Sequence, residues 1–219
     1  TYRRRGIGRK LMEAALHLIS KRGGQTAFLF VREDNEVARR LYERVGFIPL
    51  GQRTDLMLDS SARLYEAQGP AFIQPLTAEY EPALYDLVRL AEGTGYRWLH
   101  SIRRSQYVLS AEERFSRWLR SLWSGGQESR WMVPGQWELC AGLILHTTRF
   151  WNREPHRMQL WVHPSWRGRV EERLARDVVG ILAAQARRPV QVSLPVSEAH
   201  AIDALRERGF RRVRTLVLM

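Results

Sequence analysis

Lysine is nearly absent from this 219-residue chain: of 35 basic residues only Lys10 and Lys21 are lysines, and the other 33 are arginines. Cysteine is scarcer still. Cys140 stands alone, which excludes an intrachain disulfide framework and any multi-cysteine metal site, and fits a reducing compartment with the cytoplasm as the expected location. No apolar run approaches the ~18 residues that a membrane-spanning helix needs, so no membrane association is expected. The six histidines fall in no metal-ligand spacing, and no metal is expected. Thr1 opens the chain with neither an initiator methionine nor a charged-then-apolar leader, so it reads as a cut into a longer protein.

Hydrophobic residues at 44% and charged residues at 26% match a globular protein with a core. The length exceeds the roughly 100 to 150 residues typical of one domain, so one large domain or two smaller ones would fit. The net charge of +12 is spread out: residues 1 to 58 carry 12 basic and 6 acidic groups, and residues 70 to 219 carry 22 and 15. A nucleic-acid stripe would be more concentrated, so nucleic acid is not an expected partner. Trp118 and Trp123, interleaved with Arg114, Arg117 and Arg120, suit base stacking. A helix with an aromatic inner face and a basic outer face explains them equally.

Residues 9–22 place Leu11, Ala15, Leu18 and Ile19 on one helical stripe that Gly23-Gly24 ends. TAFLFVRE (26–33) reads as a buried strand. A second helix follows from Asn35 to Val45, with Val37, Ala38, Leu41, Tyr42 and Val45 inward, and Gly46 closes it. FIPLGQRTDLML (47–58) reads as a bent strand or strand pair, with Pro49 and Gly51 making the bend. Residues 59–69 lack periodicity and read as a linker closed by Gly69-Pro70.

A second unit, 70–219, begins there. AFIQPLT suggests a strand, and 82–92 and 112–123 suggest helices. Strand candidates follow at 129–134, 137–150 and 157–164. A helix from about Arg169 to Ala186, a strand at 190–196, a helix from Ala199 to Arg208 and a final strand to Met219 complete the chain. The fold class is therefore α/β. This tail repeats the first 58 residues: Gly6 to Phe47 spans 41 positions and Gly168 to Phe210 spans 42, one insertion apart, which points to duplication.

RRRGIGRKL (3–11) sets Arg3, Gly6 and Gly8 at the spacing Arg-x-x-Gly-x-Gly, running directly into a helix. Unpaired N–H groups at a helix start, the helix dipole and glycines that leave room for backbone approach together favour anion capture. Arg4, Arg5, Arg9 and Lys10 add charge. In the second helix Asn35, Ala38 and Tyr42 fall at intervals of three and four and share one face. From the residues alone, Tyr42 is equally a core aromatic with its hydroxyl tied to a carbonyl.

The two strings together resemble the GNAT superfamily of N-acetyltransferases. The resemblance implies a GNAT fold, a mixed and mostly antiparallel sheet flanked by helices, in a tandem arrangement whose first domain lacks its N-terminal half. It implies acetyl-coenzyme A as cosubstrate, its diphosphate on the loop of Arg3, Arg4, Arg5, Gly6, Ile7, Gly8 and Arg9. Asn35 and Ala38 then lie near the pantetheine arm, and Tyr42 protonates the departing thiolate, a role that requires hydrogen-bond reach to sulfur. The reaction so implied is direct transfer to an amine-bearing peptide or small molecule. Residues 31–53 are further similar to the subgroup that acetylates protein N-termini, ribosomal proteins included, although that subgroup usually carries a strand glutamate where this chain has Phe30.

On this reading residues 1–58 are the coenzyme-binding half of one domain, lacking the half that supplies the amine pocket and often the general base. Activity is then expected of a longer protein rather than of this chain. Association into a homodimer is left open. The second domain matches in order but not in chemistry: Ser165 replaces the first arginine of the loop, Val170 the second glycine, Glu198 stands for Asn35 and Leu205 for Tyr42. A structural or substrate-shaping role is expected of it. The rival reading is a non-catalytic protein that binds acyl-coenzyme A, a protein partner or nucleic acid.

Overall fold

The computed structural model describes residues 6–62, 71–93, 102–124, 126–147, 154–184 and 188–219. In chain order the elements are α1 (Ile7–Lys21), β1 (Phe30–Arg32), α2 (Glu36–Arg44), β2 (Gly51–Leu58), β3 (Gln74–Pro75), α3 (Glu81–Ala91), α4 (Arg104–Tyr107), α5 (Ala111–Ser124), β4 (Gln127–Pro134), β5 (Leu139–Thr147), β6 (His156–Val162), α6 (Glu171–Ala183), β7 (Val190–Pro195), α7 (Ala199–Glu207) and β8 (Arg211–Leu218).

The eight strands form one sheet in the order β1-β8-β2-β7-β6-β5-β4-β3. Every neighbouring pair is antiparallel except β6 with β7, so the sheet is mixed and mostly antiparallel. Strands β7 and β6 hold its centre, and β5 beside them is buried along Leu139–Leu145, because helices cover both faces. On one face α6 and α7 lay Leu174, Val178, Ile202 and Leu205 against Leu56, Leu58, Leu143 and Leu160. On the other, α3 packs Leu84, Leu87 and Val88 on Met132, Ile144 and Trp161. Gly142 permits that approach, since a Cβ there would stand 2.4 Å from Leu84 Cδ1. Asp177 is buried in α6 and is satisfied by accepting from the N–H groups of Phe72 and Ile73.

Strand β2 comes early in the chain yet lies between β7 and β8, the last two strands. Strand β8 in turn lies between β2 and β1. Each of the two helix-strand-helix-strand runs therefore sends its final strand to pair with the other run's first strand. Leu56, fully buried, and Leu58 anchor β2 in the common core.

Several expectations change on contact with this sheet. The stretch 26–33 is regular strand only over Phe30–Arg32, because it pairs with β8 alone among the described residues. The ladder extends to Leu29 and Glu33 by N–H bonds to the carbonyls of Met219 and Thr215, each 2.9 Å. Phe30 is exposed rather than buried. Residues 47–58 make one strand beginning at Gly51. Residues 71–77 supply only the two-residue edge strand β3, and α4 lies in a stretch the periodicity left unassigned. Trp118 and Trp123, with Arg117 and Arg120, lie outside the side chains described; Arg114 is bound to Glu81 at 2.8 Å.

The helices of the first run are the largest departure. Neither α1 nor α2 has a buried residue. Leu11 is 65% exposed and Val37, expected to face inward, is 83% exposed. In α2 the face is half-covered, with Ala38 and Tyr42 packed on Val31 and Val217, whereas the Leu11, Leu18 and Ile19 stripe of α1 is formed but exposed.

Candidate functional site

Gly6 opens α1 in the left-handed conformation, φ 71°, which glycine adopts without the Cβ penalty. Among the described residues no side chain caps this helix, and its first turn holds no acid, so the leading N–H groups have no partner within the helix. Arg9 is turned to Glu13, 2.7 Å away on the surface. Arg3, Arg4 and Arg5 lie outside the described residues.

Gly8 plays a different part from Gly6. A Cβ at Gly6 would meet open space, whereas one at Gly8 would stand 3.3 Å from Leu41 Cδ2. Gly8 thus lets the start of α1 rest on α2, which brings the two sequence motifs together. In α2, Asn35 caps the helix by accepting the Ala38 N–H at 3.2 Å. Tyr42, half-buried, sits edge-on to Phe47 with ring centroids 6.1 Å apart. Ala38, Tyr42 and Phe47 pack around Val31, Val217 and Met219, so the last strand of the chain supports the tyrosine.

The later run repeats this geometry with altered side chains. A shift of 163 positions carries Gly46-Phe47 onto Gly209-Phe210, whose glycines have φ 100° and 98°. Both phenylalanine N–H groups bond the carbonyl five residues back, from Phe47 to Tyr42 at 3.0 Å and from Phe210 to Leu205 at 3.1 Å. The same shift carries the strand pair Phe30↔Leu218 onto Ser193↔Asp55. Gly168 is left-handed like Gly6, at φ 77°. Leu205, in Tyr42's place, is wholly buried.

Strands β6 and β7 pair only from His156↔Val190 to Met158↔Val192 and then part. A cavity of about 840 Å³ opens there, lined among others by Arg53, Glu92, Trp161, Gln191, Ser193 and Arg214. Arg53 Nη1 lies 2.7 Å from Glu92 Oε2, and Glu92 Oε1 accepts from Trp161 Nε1 at 3.1 Å. Residues 53 and 92 were not legible as a pair, since no spacing links a strand arginine to a helix-end glutamate. At the start of α7, burial pushes the Glu198 carboxyl above its ordinary pKa, against the pull of Arg167. Among the described residues no cluster of histidine, cysteine and carboxylate side chains could hold a metal ion, and no helix is long and apolar enough to cross a membrane.

Comparison with known proteins bears on the first run and on the whole fold separately. Residues 1–47 match the model of the acetyltransferase (GNAT) family. Over 46 residues the chain is 46% identical to N-alpha-acetyltransferase 30 of Schizosaccharomyces pombe, covering 21% of this chain and 31% of that protein; the chain thus spans under a third of this curated relative. The structure resembles a GCN5-related N-acetyltransferase from Sphaerobacter thermophilus, with a TM-score of 0.62 at 19% identity over 99% of this chain and 68% of the other. It also resembles a tandem GNAT protein from the clavulanic acid biosynthesis pathway, with a TM-score of 0.54 at 19% identity over 99% and 70%. A GCN5-related N-acetyltransferase from Kribbella flavida gives 0.54 at 12% identity over 96% and 73%. The fold is that of the GNAT acetyltransferases.

Proposed function

We propose that the protein is an N-acyltransferase that moves an acetyl group from acetyl-coenzyme A to an amine, the coenzyme resting on residues 3–9, Asn35, Ala38 and Tyr42. The observation that carries this is the contact between motifs: an uncapped helix start opened by left-handed Gly6 is seated through Gly8 on the helix that bears Tyr42. The N–H groups at the head of α1 suit a diphosphate. The amine attacks the thioester carbonyl, the new C–N bond forms as the C–S bond breaks, Tyr42 gives its hydroxyl proton to the departing sulfur, and the proton lost by the amine nitrogen passes to solvent, from which Tyr42 is reprotonated. The fold and the match over residues 1–47 support an acetyltransferase function.

The acceptor on this reading is a peptide N-terminus or a small amine. The similarity to a protein named as an N-alpha-acetyltransferase supports the peptide. The domain reading is that 1–58 form the coenzyme half of one GNAT domain, 59–69 a linker and 70–219 a second, degenerate one. The repeated glycine conformations and the strand register shifted by 163 positions support duplication. The bare apolar stripe of α1 supports a missing half that supplies the amine pocket, so turnover belongs to the full-length protein, with the cytoplasm as its location.

The test is a steady-state screen of peptides and small amines with acetyl-coenzyme A on the full-length protein. Tyr42→Phe is expected to lower kcat about 100-fold with little change in KM. An unchanged kcat would remove the acid role from Tyr42. Coenzyme binding without turnover of any acceptor would favour the non-catalytic reading.

A further inference from the structure

The chain holds a second loop that matches the first in sequence spacing, from Ser165 to Val170, at the start of α6. Its glycine, Gly168, has φ 77° against 71° for Gly6; the Arg169 N–H bonds back to the Trp166 carbonyl, and the Gly168 and Val170 N–H groups share one acceptor side chain. The Gly168 N–H donates to Glu171 Oε1 at 2.8 Å, and the Val170 N–H donates to Glu171 Oε2 at 3.1 Å. The Glu171 side chain is buried.

The surrounding groups are committed as well. Arg167, which flanks the loop, is bound to Oε1 of buried Glu198. Oε2 of Glu198 is buried with no partner among the described residues. His200 lies against Gly168, its Nε2 3.4 Å from where a Cβ would stand. The residues at the matching places in the first run are Arg9 for Glu171 and Asn35 for Glu198. There α1 has no side-chain cap, and Asn35 spends its oxygen on Ala38.

We infer that the loop at 165–170 is an anion cradle occupied from within: the Glu171 carboxylate takes the place a diphosphate would take, so the chain offers one coenzyme site and not two. The physical ground is competition for the same donors. A carboxylate at the first turn satisfies the orphan N–H groups and complements the helix dipole, as a bound anion would. It is covalently tethered and needs no ligand concentration. An incoming diphosphate must displace it and face two buried carboxylates, Glu171 and Glu198, of like sign. Val170 also puts a branched side chain where the first loop has Gly8. The later run is thus closed to coenzyme. The inference rests on the proposed reading only in naming the ligand as coenzyme A.

The experiment is a calorimetric titration of the full-length protein with coenzyme A. One equivalent per chain is expected, and Arg169→Glu, an exposed reversal of charge on the second loop, is expected to change Kd by less than about twofold. Two equivalents, or a weakening of about tenfold or more by Arg169→Glu, would overturn the inference. No binding at all would defeat the coenzyme reading of residues 3–42 while agreeing that the second loop is closed. In a second arm, Glu171→Ala is expected to bind one more equivalent of inorganic pyrophosphate than the parent protein. An unchanged count would show that the carboxylate is not what closes the loop. Should that variant fail to fold, the coenzyme stoichiometry and Arg169→Glu still decide.

Discussion

Arg53 and Glu92 form an ion pair of 2.7 Å that ties β2 to the end of α3, with 13% and 9% of their side chains exposed. Arg53 also donates to the Ser193 carbonyl and to its hydroxyl. The pair joins an early strand to a later helix across the sheet. Arg53→Ala leaves the Glu92 carboxylate buried without its partner, which costs about 3 to 5 kcal/mol. Urea unfolding measures it; a loss below about 1 kcal/mol would mean that water reaches Glu92 and replaces the guanidinium.

The exchange of β2 and β8 makes the two runs one folding unit. A protease site placed within 63–70 and cut in the native protein is expected to leave the fragments together on size exclusion, since β2 is hydrogen-bonded on both sides by β7 and β8. Residues 71–219 expressed alone are expected to lack a cooperative transition, because the gap left by Leu56 and Leu58 opens the core. A sharp unfolding transition from that fragment would contradict the topology. Leu56→Ala in the intact chain is expected to cost about 2 to 5 kcal/mol.

The bare stripe of α1 separates formation of a helix from its burial. Leu11 is 65% exposed, while Leu174, 163 positions later, is 1% exposed. Leu11→Glu is therefore expected to change the stability of this chain by no more than about 0.5 kcal/mol, and Leu174→Ala to cost about 3 kcal/mol. Comparable losses from the two, read by denaturant midpoints, would show that the stripe is covered after all.

Glu198 gives a pH signature. Its native carboxyl holds its proton more tightly than the unfolded chain does, chiefly through burial, with Glu171 and Glu92 adding repulsion. For an acid raised in the native state, stability falls as pH rises through the ordinary carboxylate pKa, and the cost is fully present above the native pKa. Glu198→Gln removes that titration. Its Tm relative to the parent is expected to move in its favour as pH rises through and above the ordinary carboxylate pKa; a difference that does not change with pH would contradict the cause assigned.

Helices were the legible part of this chain, because spacing of three and four marks a face whether or not anything covers it. Leu174, Val178 and Leu182 are buried as their pattern demands, and Leu11, Leu18 and Ile19 show the same pattern in solvent. Periodicity reports a face and is silent on its partner. Strand order was illegible for a related reason: nothing local to 51–58 says that its neighbours are 190–195 and 211–218. In the site, Gly6, Asn35 and Tyr42 stood out by their spacing, whereas Gly8 proved to serve helix packing through Leu41. Glu171 was signalled by two acids following Arg-Gly-Arg-Val, a first-turn charge pattern that marks a helix start equally well. Only the bonds to Gly168 and Val170 give it a second meaning.

The central claim is that the head of α1 holds the coenzyme diphosphate. Titration of the full-length protein with acetyl-coenzyme A, compared between parent and Gly6→Glu, tests it most directly. No described residue lies within 4 Å of a Cβ at Gly6, so the substitution adds a negative charge and a strained φ at one exposed position without crowding a described neighbour. The account predicts saturable binding by the parent and none detectable in the variant, with the fold retained by circular dichroism. Equal affinity in the two proteins would contradict it.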